Sequence, residues 1–230
     1  MRTFFICLLL FSLHILLKVA LADSTNAEQA AIAAPQRQQT SFGEILALDV
    51  VGEWQKLPYG DNALQFGELW MPNADTGKPP LFIFVHGGCW LNQYGVDHSR
   101  GFASALRQAG YAVWAIEYRR SGDQDGGWPG SLNDVVAGIE YALTEFAELI
   151  DTQQVTLSGH SAGGHLALLA ANQEHLKNKL WRTFGLAAIT DPGEYSKGQN
   201  SCQQATIAFM GGTAQALPQL YQAAKINKLG

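Results

Sequence analysis

The sequence predicts an α/β fold on a mostly parallel sheet, with a serine on a tight turn at the sheet's carboxyl edge. Three observations predict it. Val155-Thr156-Leu157-Ser158 reads as a strand and Ala162 through Asn172, almost unbroken Ala and Leu, as a helix, with Gly159-His160-Ser161-Ala162-Gly163 between them. Upstream, Leu81-Phe82-Ile83-Phe84-Val85 is the continuous apolar run of a fully buried strand, and it ends in His86-Gly87-Gly88-Cys89-Trp90. Around both, strand-like and helix-like segments alternate, which implies parallel strands joined by right-handed crossovers.

Taken in chain order, the first segment is a leader. Arg2 gives a positive start, Phe4 to Leu17 is apolar except for Ser12 and His14, and Ala20-Leu21-Ala22 is a small-x-small site before Asp23. Residues 1–22 therefore read as a signal peptide cleaved after Ala22, which sends the protein outside the cell or to the periplasm. Lys18 beside the cleavage site leaves an uncleaved anchor as the alternative. Cys7 departs with the leader and is not followed by the cleavage site, so it is no lipoprotein cysteine. Residues 23–40 are Ala/Gln-rich without apolar periodicity and read as a disordered lead-in. The rest, 41–230, is one domain without internal repeats.

Within that domain Ile45–Val51 and Leu64–Met71 read as strands joined through the Pro58-Tyr59-Gly60-Asp61-Asn62 turn. Asp97 to Ala109 reads as a helix with Phe102, Leu106 and Ala109 on one face and Gly110 as its stop. Tyr111 to Tyr118 returns as a strand. Ser131-Leu132-Asn133-Asp134 resembles a capping box opening a helix whose core stripe is Leu132, Val135, Val136, Ile139, Leu143 and Phe146, with Asp134 as a cap. The last strand-like run is Gly185-Leu186-Ala187-Ala188-Ile189.

Charge and motif content exclude several classes. The net charge is −5, with 15 Lys and Arg against 20 Asp and Glu and no basic patch, which argues against nucleic acid and anionic membrane surfaces as partners. No CxxC, HExxH or clustered His/Asp/Glu spacing occurs, so neither a metal nor a cofactor is implied.

The two glycine motifs carry the chemistry. Glycines flanking Ser161 permit a strained turn that lifts the hydroxyl clear, and the following helix aims its unpaired N–H groups and positive dipole end at the site. Consecutive glycines after the upstream strand let the backbone turn with N–H groups exposed, as an oxyanion hole requires. Ser161 is the candidate nucleophile, and an N–H of the glycine loop together with that of Ala162, the residue after the serine, would form the oxyanion hole.

H-G-G-x-W followed by G-H-S-A-G-G-H-L, together with Ile116-Glu117-Tyr118-Arg119-Arg120 and Trp128-Pro129, resembles the esterase and kynurenine formamidase-like branch of the α/β-hydrolase superfamily. The resemblance runs from about Leu81 to the C-terminus. It implies an α/β-hydrolase fold with helices on both faces of the sheet, acylation of Ser161, and the backbone N–H groups of Gly88, Cys89 and Ala162 as oxyanion donors. It also implies a small-molecule substrate, a carboxylic ester or formyl amide. Two other readings stand beside it: a peptidase of the prolyl-oligopeptidase kind, whose usual extra domain is not seen here, and a non-catalytic hydrolase-like binding protein. The oligomeric state is not indicated.

The chain departs from the family pattern after the serine. Chain order in this fold runs Ser, then Asp or Glu, then His. The six histidines are His14, His86, His98, His160, His165 and His175, and no strand-like run follows Ile189. The triad acid and histidine are therefore expected to be absent and the domain incomplete at its C-terminus, with the last strands missing. His165 is expected to be a hydrogen-bonded core residue, His160 to fill space beside the strand, and His86 to brace the oxyanion loop. His98 and His175 read as surface helix residues. Asp191 is the best internal acid, one strand too early, with loop capping beside Pro192-Gly193 as its expected role.

Two cysteines outlast the leader, Cys89 and Cys202, in a chain bound for an oxidising compartment. Both are expected at the sheet's carboxyl edge, Cys202 in a loop region, either bridged or as two free thiols. Trp90, Trp128 and Tyr94 read either as a stacking surface for a flat substrate group or as a cover over the oxyanion loop.

Overall fold

A computed structural model describes residues 41–73 and 77–227. The expected leader and lead-in, residues 1–22 and 23–40, lie outside the described residues. Six strands form one sheet: β1 (Gln55–Pro58), β2 (Phe66–Trp70), β3 (Pro80–Val85), β4 (Ala112–Ile116), β5 (Asp151–His160) and β6 (Arg182–Leu186). Their order is β1-β2-β4-β3-β5-β6; β1 and β2 run antiparallel, while β4, β3, β5 and β6 are mutually parallel.

The seven α-helices are α1 (Phe42–Leu46), α2 (Arg100–Gln108), α3 (Gly130–Glu145), α4 (Ala162–Ala171), α5 (Pro192–Tyr195), α6 (Ser201–Met210) and α7 (Pro218–Ala224), counted among the described residues. A 3-10 turn, Val96–Ser99, leads into α2.

β3 is apolar throughout because both its faces are covered. Its odd-numbered residues, Leu81, Ile83 and Val85, join Trp114, Ile116, Val155 and Leu157 in the larger core under α3 and α4. The even-numbered residues face the other side, where the Phe102 ring of α2 lies 5.9 Å from Phe82 and 4.7 Å from Phe84. Helices thus cover both faces, as the sequence implies. The connection from β3 leads one way, to β4, and that from β5 leads the other way, to β6. The strand order reverses between them, and a crevice outside the carboxyl ends at such a point is the usual ligand position. His86-Gly87-Gly88 follows β3 there, and Ser161 follows β5.

Three sequence expectations are corrected. Ile45–Val51 is not a strand: α1 takes its start, and the following backbone is pinned to α2 instead of a sheet edge. Val51 N–H donates to Ser104 Oγ (2.9 Å), and Ser104 Oγ–H donates back to Val51 O (2.9 Å). Asp134 is not a cap, because α3 already begins at Gly130 and Asp134 is buried inside it. Its carboxylate accepts from Arg119 N, Nε and Nη2 and from Gln65 Nε2, at 2.7–3.0 Å. The last strand lies earlier than the apolar run suggests: β6 ends at Leu186, and Ala187–Ile189 form the turn beside the serine. The other segments stand, with boundaries shifted by a few residues.

Candidate active site

Ser161 occupies a backbone conformation that side chains rarely adopt, φ +53° and ψ −117°, between β5 and α4. Such strain persists only where the surroundings enforce it. Here the enforcement is steric. A methyl at Gly159 would overlap Gly163 O, and one at Gly163 would overlap the carbonyl oxygens of Val85 and His86. The strand, the turn and the helix therefore approach closer than any side chain allows. Ser161 N–H donates to Leu186 O of β6 (2.8 Å), which fixes the turn from the other side. Ala162 is the first residue of α4, so its N–H has no acceptor within the helix and faces the site.

The Gly87–Trp90 loop passes over this turn. A Cβ at Gly87 would lie 3.5 Å from Ser161 Cβ and 2.9 Å from the His160 carbonyl oxygen. Beyond it Gly88, Cys89 and Trp90 all have positive φ, at +114°, +55° and +57°. Three successive residues of this kind turn the chain sharply here. The loop closes on itself through Leu91 N–H to Gly88 O (2.9 Å) and is tied to the β4–α3 connection by Ser121 N–H to Trp90 O (2.8 Å).

Its underside rests on α6. Cys89 and Cys202 are joined in a disulfide, Cα–Cα 5.0 Å, across 113 residues of chain. Cys202 lies in the first turn of α6, not in a loop as expected from the sequence. Trp90 is fully buried and stacks on Phe209 of α6, ring centroids 4.5 Å apart at 11°. Of the three aromatic residues, then, Trp90 is packing under the loop and not a surface for substrate. Trp128 is half-buried against the same core, and the Tyr94 side chain lies against Gly88.

His86 braces the root of the loop. It is completely buried; its Nε2 lies 3.0 Å from Glu117 Oε1 and its Nδ1 2.7 Å from Gly87 O. Tyr118 stacks on the ring (4.5 Å) and donates its hydroxyl to His86 O (3.0 Å). Glu117 also accepts from Val96 N–H and Tyr118 N–H, 2.9 Å each, and pairs with Arg120 at 3.1 Å. Burial works against its charge, but His86, Arg120 and the N–H donors outweigh it and hold the carboxyl below its usual range. Sequence reasoning missed this role for Glu117. The signal was a lone acid at the end of an otherwise apolar strand.

The other histidines have surroundings of their own. His165 is buried one turn into α4, packs edge-on against Trp90 and lies 2.8 Å from Ala224 O. Burial, partly offset by that bond, pushes its pKa down to about 4. His98 is not a surface residue as expected: it is half-buried and edge-on to His86, and burial together with the His86 charge brings it to about 4. His160 is exposed, with its pKa lowered by the burial that remains. His175 is at the surface and pairs with Glu140 at 3.0 Å. Both histidine–carboxylate pairs among the described residues, His86–Glu117 and His175–Glu140, thus serve the loop's root and the outer surface.

A shallow depression of about 430 Å³ opens at Ser161, walled by Ala187–Asp191, Glu194 and Tyr195. Asp191 caps α5 by accepting from Glu194 N–H (3.1 Å) and is neutralised by Lys225 at 2.7 Å. Burial pushes its carboxyl up, but the Lys225 and backbone hydrogen bonds prevail and leave it below the ordinary range. That carboxylate is committed to structure. No group of three or more His, Cys, Asp or Glu side chains fit to hold a metal occurs among the described residues.

Comparison with known proteins agrees with this geometry. The chain is 31% identical over 135 residues to versiconal hemiacetal acetate esterase of Aspergillus parasiticus, covering 55% of this chain and 41% of that protein. It is 27% identical over 113 residues to kynurenine formamidase of Drosophila melanogaster, covering 48% and 35%. The chain thus spans less than half the length of these curated relatives. Esterase B from Lactobacillus rhamnosis superposes with a TM-score of 0.63 at 23% identity, over 92% of this chain and 71% of that one. A bacterial heroin esterase gives 0.61 at 21%, over 88% and 66%. These structural likenesses establish a shared α/β-hydrolase fold. Residues 68–225, most of the chain, match the BD-FAE family, and the chain belongs to it.

Proposed function

We propose that this protein is a serine hydrolase of small carboxylic esters or formyl amides, working through an acyl-enzyme on Ser161. One observation carries the reading: a strained serine at the N-terminus of α4 faces a loop with three successive positive-φ residues. Strain of this kind in two facing segments serves no packing purpose that ordinary backbone could not meet.

In the proposed reaction Ser161 Oγ attacks the carbonyl carbon as its proton passes to a general base. The oxyanion that forms accepts from the N–H groups of Ala162, Gly88 and Cys89. The C–O or C–N bond then breaks, the leaving group takes a proton, and water cleaves the acyl-enzyme to release the acid and regenerate Ser161. Residues 41–227 supply the nucleophile, the donors and the depression beside them. The two buried histidines are engaged elsewhere, His86 with Glu117 and His165 with Ala224 O. That observation favours a second reading, a hydrolase-like binding protein without turnover. The leader-like start and the disulfide support secretion.

The test is Ser161→Ala in the natural protein. Folding should be unchanged, while hydrolysis of p-nitrophenyl acetate and N-formylkynurenine falls by about a million-fold in kcat and fluorophosphonate labelling is lost. Labelling retained in the variant would overturn the assignment of Ser161. Neither labelling nor turnover in the wild-type protein would favour the binding reading.

A further inference from the structure

We propose that Cys202, through its disulfide to Cys89, is the positioning residue that holds the Gly88–Trp90 backbone in its donor conformation; the catalytic consequence rests on the reading of Ser161 as a nucleophile. Gly88 tolerates φ +114°, but Cys89 and Trp90 hold φ +55° and +57° as residues with a Cβ. Each would relax to negative φ unless restrained. A relaxed Cys89 would turn its N–H away from the carbonyl bound at Ser161.

The restraints can be assigned one by one. Trp90 is anchored by stacking on Phe209 and by Ser121 N–H, which holds its carbonyl. Its indole Nε1 is buried without a hydrogen-bond partner among the described residues, so packing seats the ring. On the other side Gly87 is wedged against His160 and Ser161. Cys89 lies between these anchors, and its side chain has one tether, the bond to Cys202. That tether is rigid because α6 is. Asn200 and Gln203 form a capping box one turn around Cys202, and Phe209 O accepts Trp128 N–H at the helix's other end (2.8 Å).

The bridge therefore sets the orientation of one peptide group, not the loop's overall place. Breaking it should slow the step that builds the oxyanion and leave ground-state binding nearly as it was. Loss of one such donor lowers kcat by about a hundred- to a thousand-fold. A loop that still visits the right conformation part of the time should lose less, about ten- to a hundred-fold.

The experiment compares the oxidised wild type with Cys202→Ser and with the wild type reduced by excess dithiothreitol. In that reduction the Sγ–Sγ bond breaks and both sulfurs become thiols. Dithiothreitol supplies two electrons and two protons and closes to its cyclic disulfide. Fluorophosphonate labelling is followed against probe concentration, and hydrogen exchange of the peptides covering 86–92 and 162–171 is followed in parallel, well below the melting temperature. The expected result is a ten- to a hundred-fold lower maximal labelling rate at unchanged half-saturation, with exchange about tenfold faster in 86–92 and unchanged in 162–171. Reoxidation of the reduced wild type should restore both. Exchange in 86–92 that does not respond overturns the proposal, whether or not the wild type labels. So does labelling that persists at the wild-type rate while the melting temperature falls, since the bridge would then be structural only. A wild type that never labels, with exchange in 86–92 responding as expected, leaves the positioning role standing and removes the nucleophile reading instead.

Discussion

The serine turn and the loop that faces it both hold backbone at positive φ, yet they are held by opposite means. The turn rests first on its own glycines: Gly159 lets strand and helix touch, Gly163 lets the helix start approach the Val85 and His86 backbone, and Leu186 O of β6 adds one bond. The Gly87–Trp90 loop is enforced from a distance. Glu117 lies 31 residues beyond His86, Ser121 holds Trp90, and Cys202 and Phe209 come from a helix more than a hundred residues later. A local constraint can be read from five letters of sequence. A distant one is visible only once the chain has folded.

The comparison is broken most severely at Gly163, where the two regions touch. A methyl there would overlap the Val85 and His86 carbonyl oxygens, which are backbone and cannot move aside. Gly163→Ala should cost more than about 4 kcal/mol, at the extreme of single substitutions, or prevent folding. Chemical denaturation monitored by circular dichroism checks this. A variant of native stability would show that the close approach is not what sets the turn.

Glu117 tests the distant side alone. Removing it takes one of its two carboxylate partners from the buried Arg120, leaves His86 Nε2 without its acceptor and frees the N–H groups of Val96 and Tyr118. Glu117→Ala should cost about 3–5 kcal/mol, as breaking a buried ion pair from one side does. Exchange protection should be lost first around 86–98 and not at 162–171. Equal loosening of both segments would erase the distinction between local and distant enforcement.

The same contrast explains what could be read before folding. β3, β4, β5 and α4 were legible because each is a long apolar run or an Ala/Leu helix whose burial leaves no alternative. The α/β architecture followed from them, and the α/β-hydrolase reading from the two glycine motifs. Ile45–Val51 misled because β-favouring residues signal extended backbone but not whether a partner strand exists. Asp134 misled because Ser131-Leu132-Asn133-Asp134 fits a cap pattern locally, while the helix had already begun at Gly130. The value of Asp134 lies in Arg119, fifteen residues back. Of the candidate site residues, Ser161 and Ala162 came from one contiguous motif. The roles of Glu117, Phe209 and α6 depend on pairings that no local pattern encodes.

His165 joins the two regions, since it belongs to α4 yet packs on Trp90 and Phe209. Burial lowers its folded pKa to about 4 from an ordinary 6.5, so the unfolded chain binds the extra proton first. Stability is then fully present above pH 6.5 and falls as the pH drops from 6.5 to about 4, by about 3 kcal/mol in all. His165→Phe should make that part of the pH profile less steep, leaving the slope from His98, which burial also holds at about 4. Urea unfolding of both proteins at pH 7 and pH 4.5 measures the difference. An unchanged slope in the variant would mean that His165 is not held neutral.

The smallest expected effect lies at Asn200 and separates the helix that supports the loop from the loop itself. Asn200 Oδ1 accepts from Gln203 N–H at 2.9 Å, and Gln203 Oε1 accepts from Asn200 N–H at 3.0 Å. Asn200→Ala removes one arm of this box and should cost about 1 kcal/mol. The first turn of α6, which carries Cys202, would fray more often, while Phe209 at the far end of α6 stays packed under Trp90. Because the bridge remains closed, the fraying reaches Cys89 only through a looser anchor. Fluorophosphonate labelling should therefore slow by about twofold or less, against the ten- to a hundred-fold expected for an open bridge. If labelling in Asn200→Ala fell as far as in Cys202→Ser, the rigidity of α6, and not the covalent tether, would be what orients the loop.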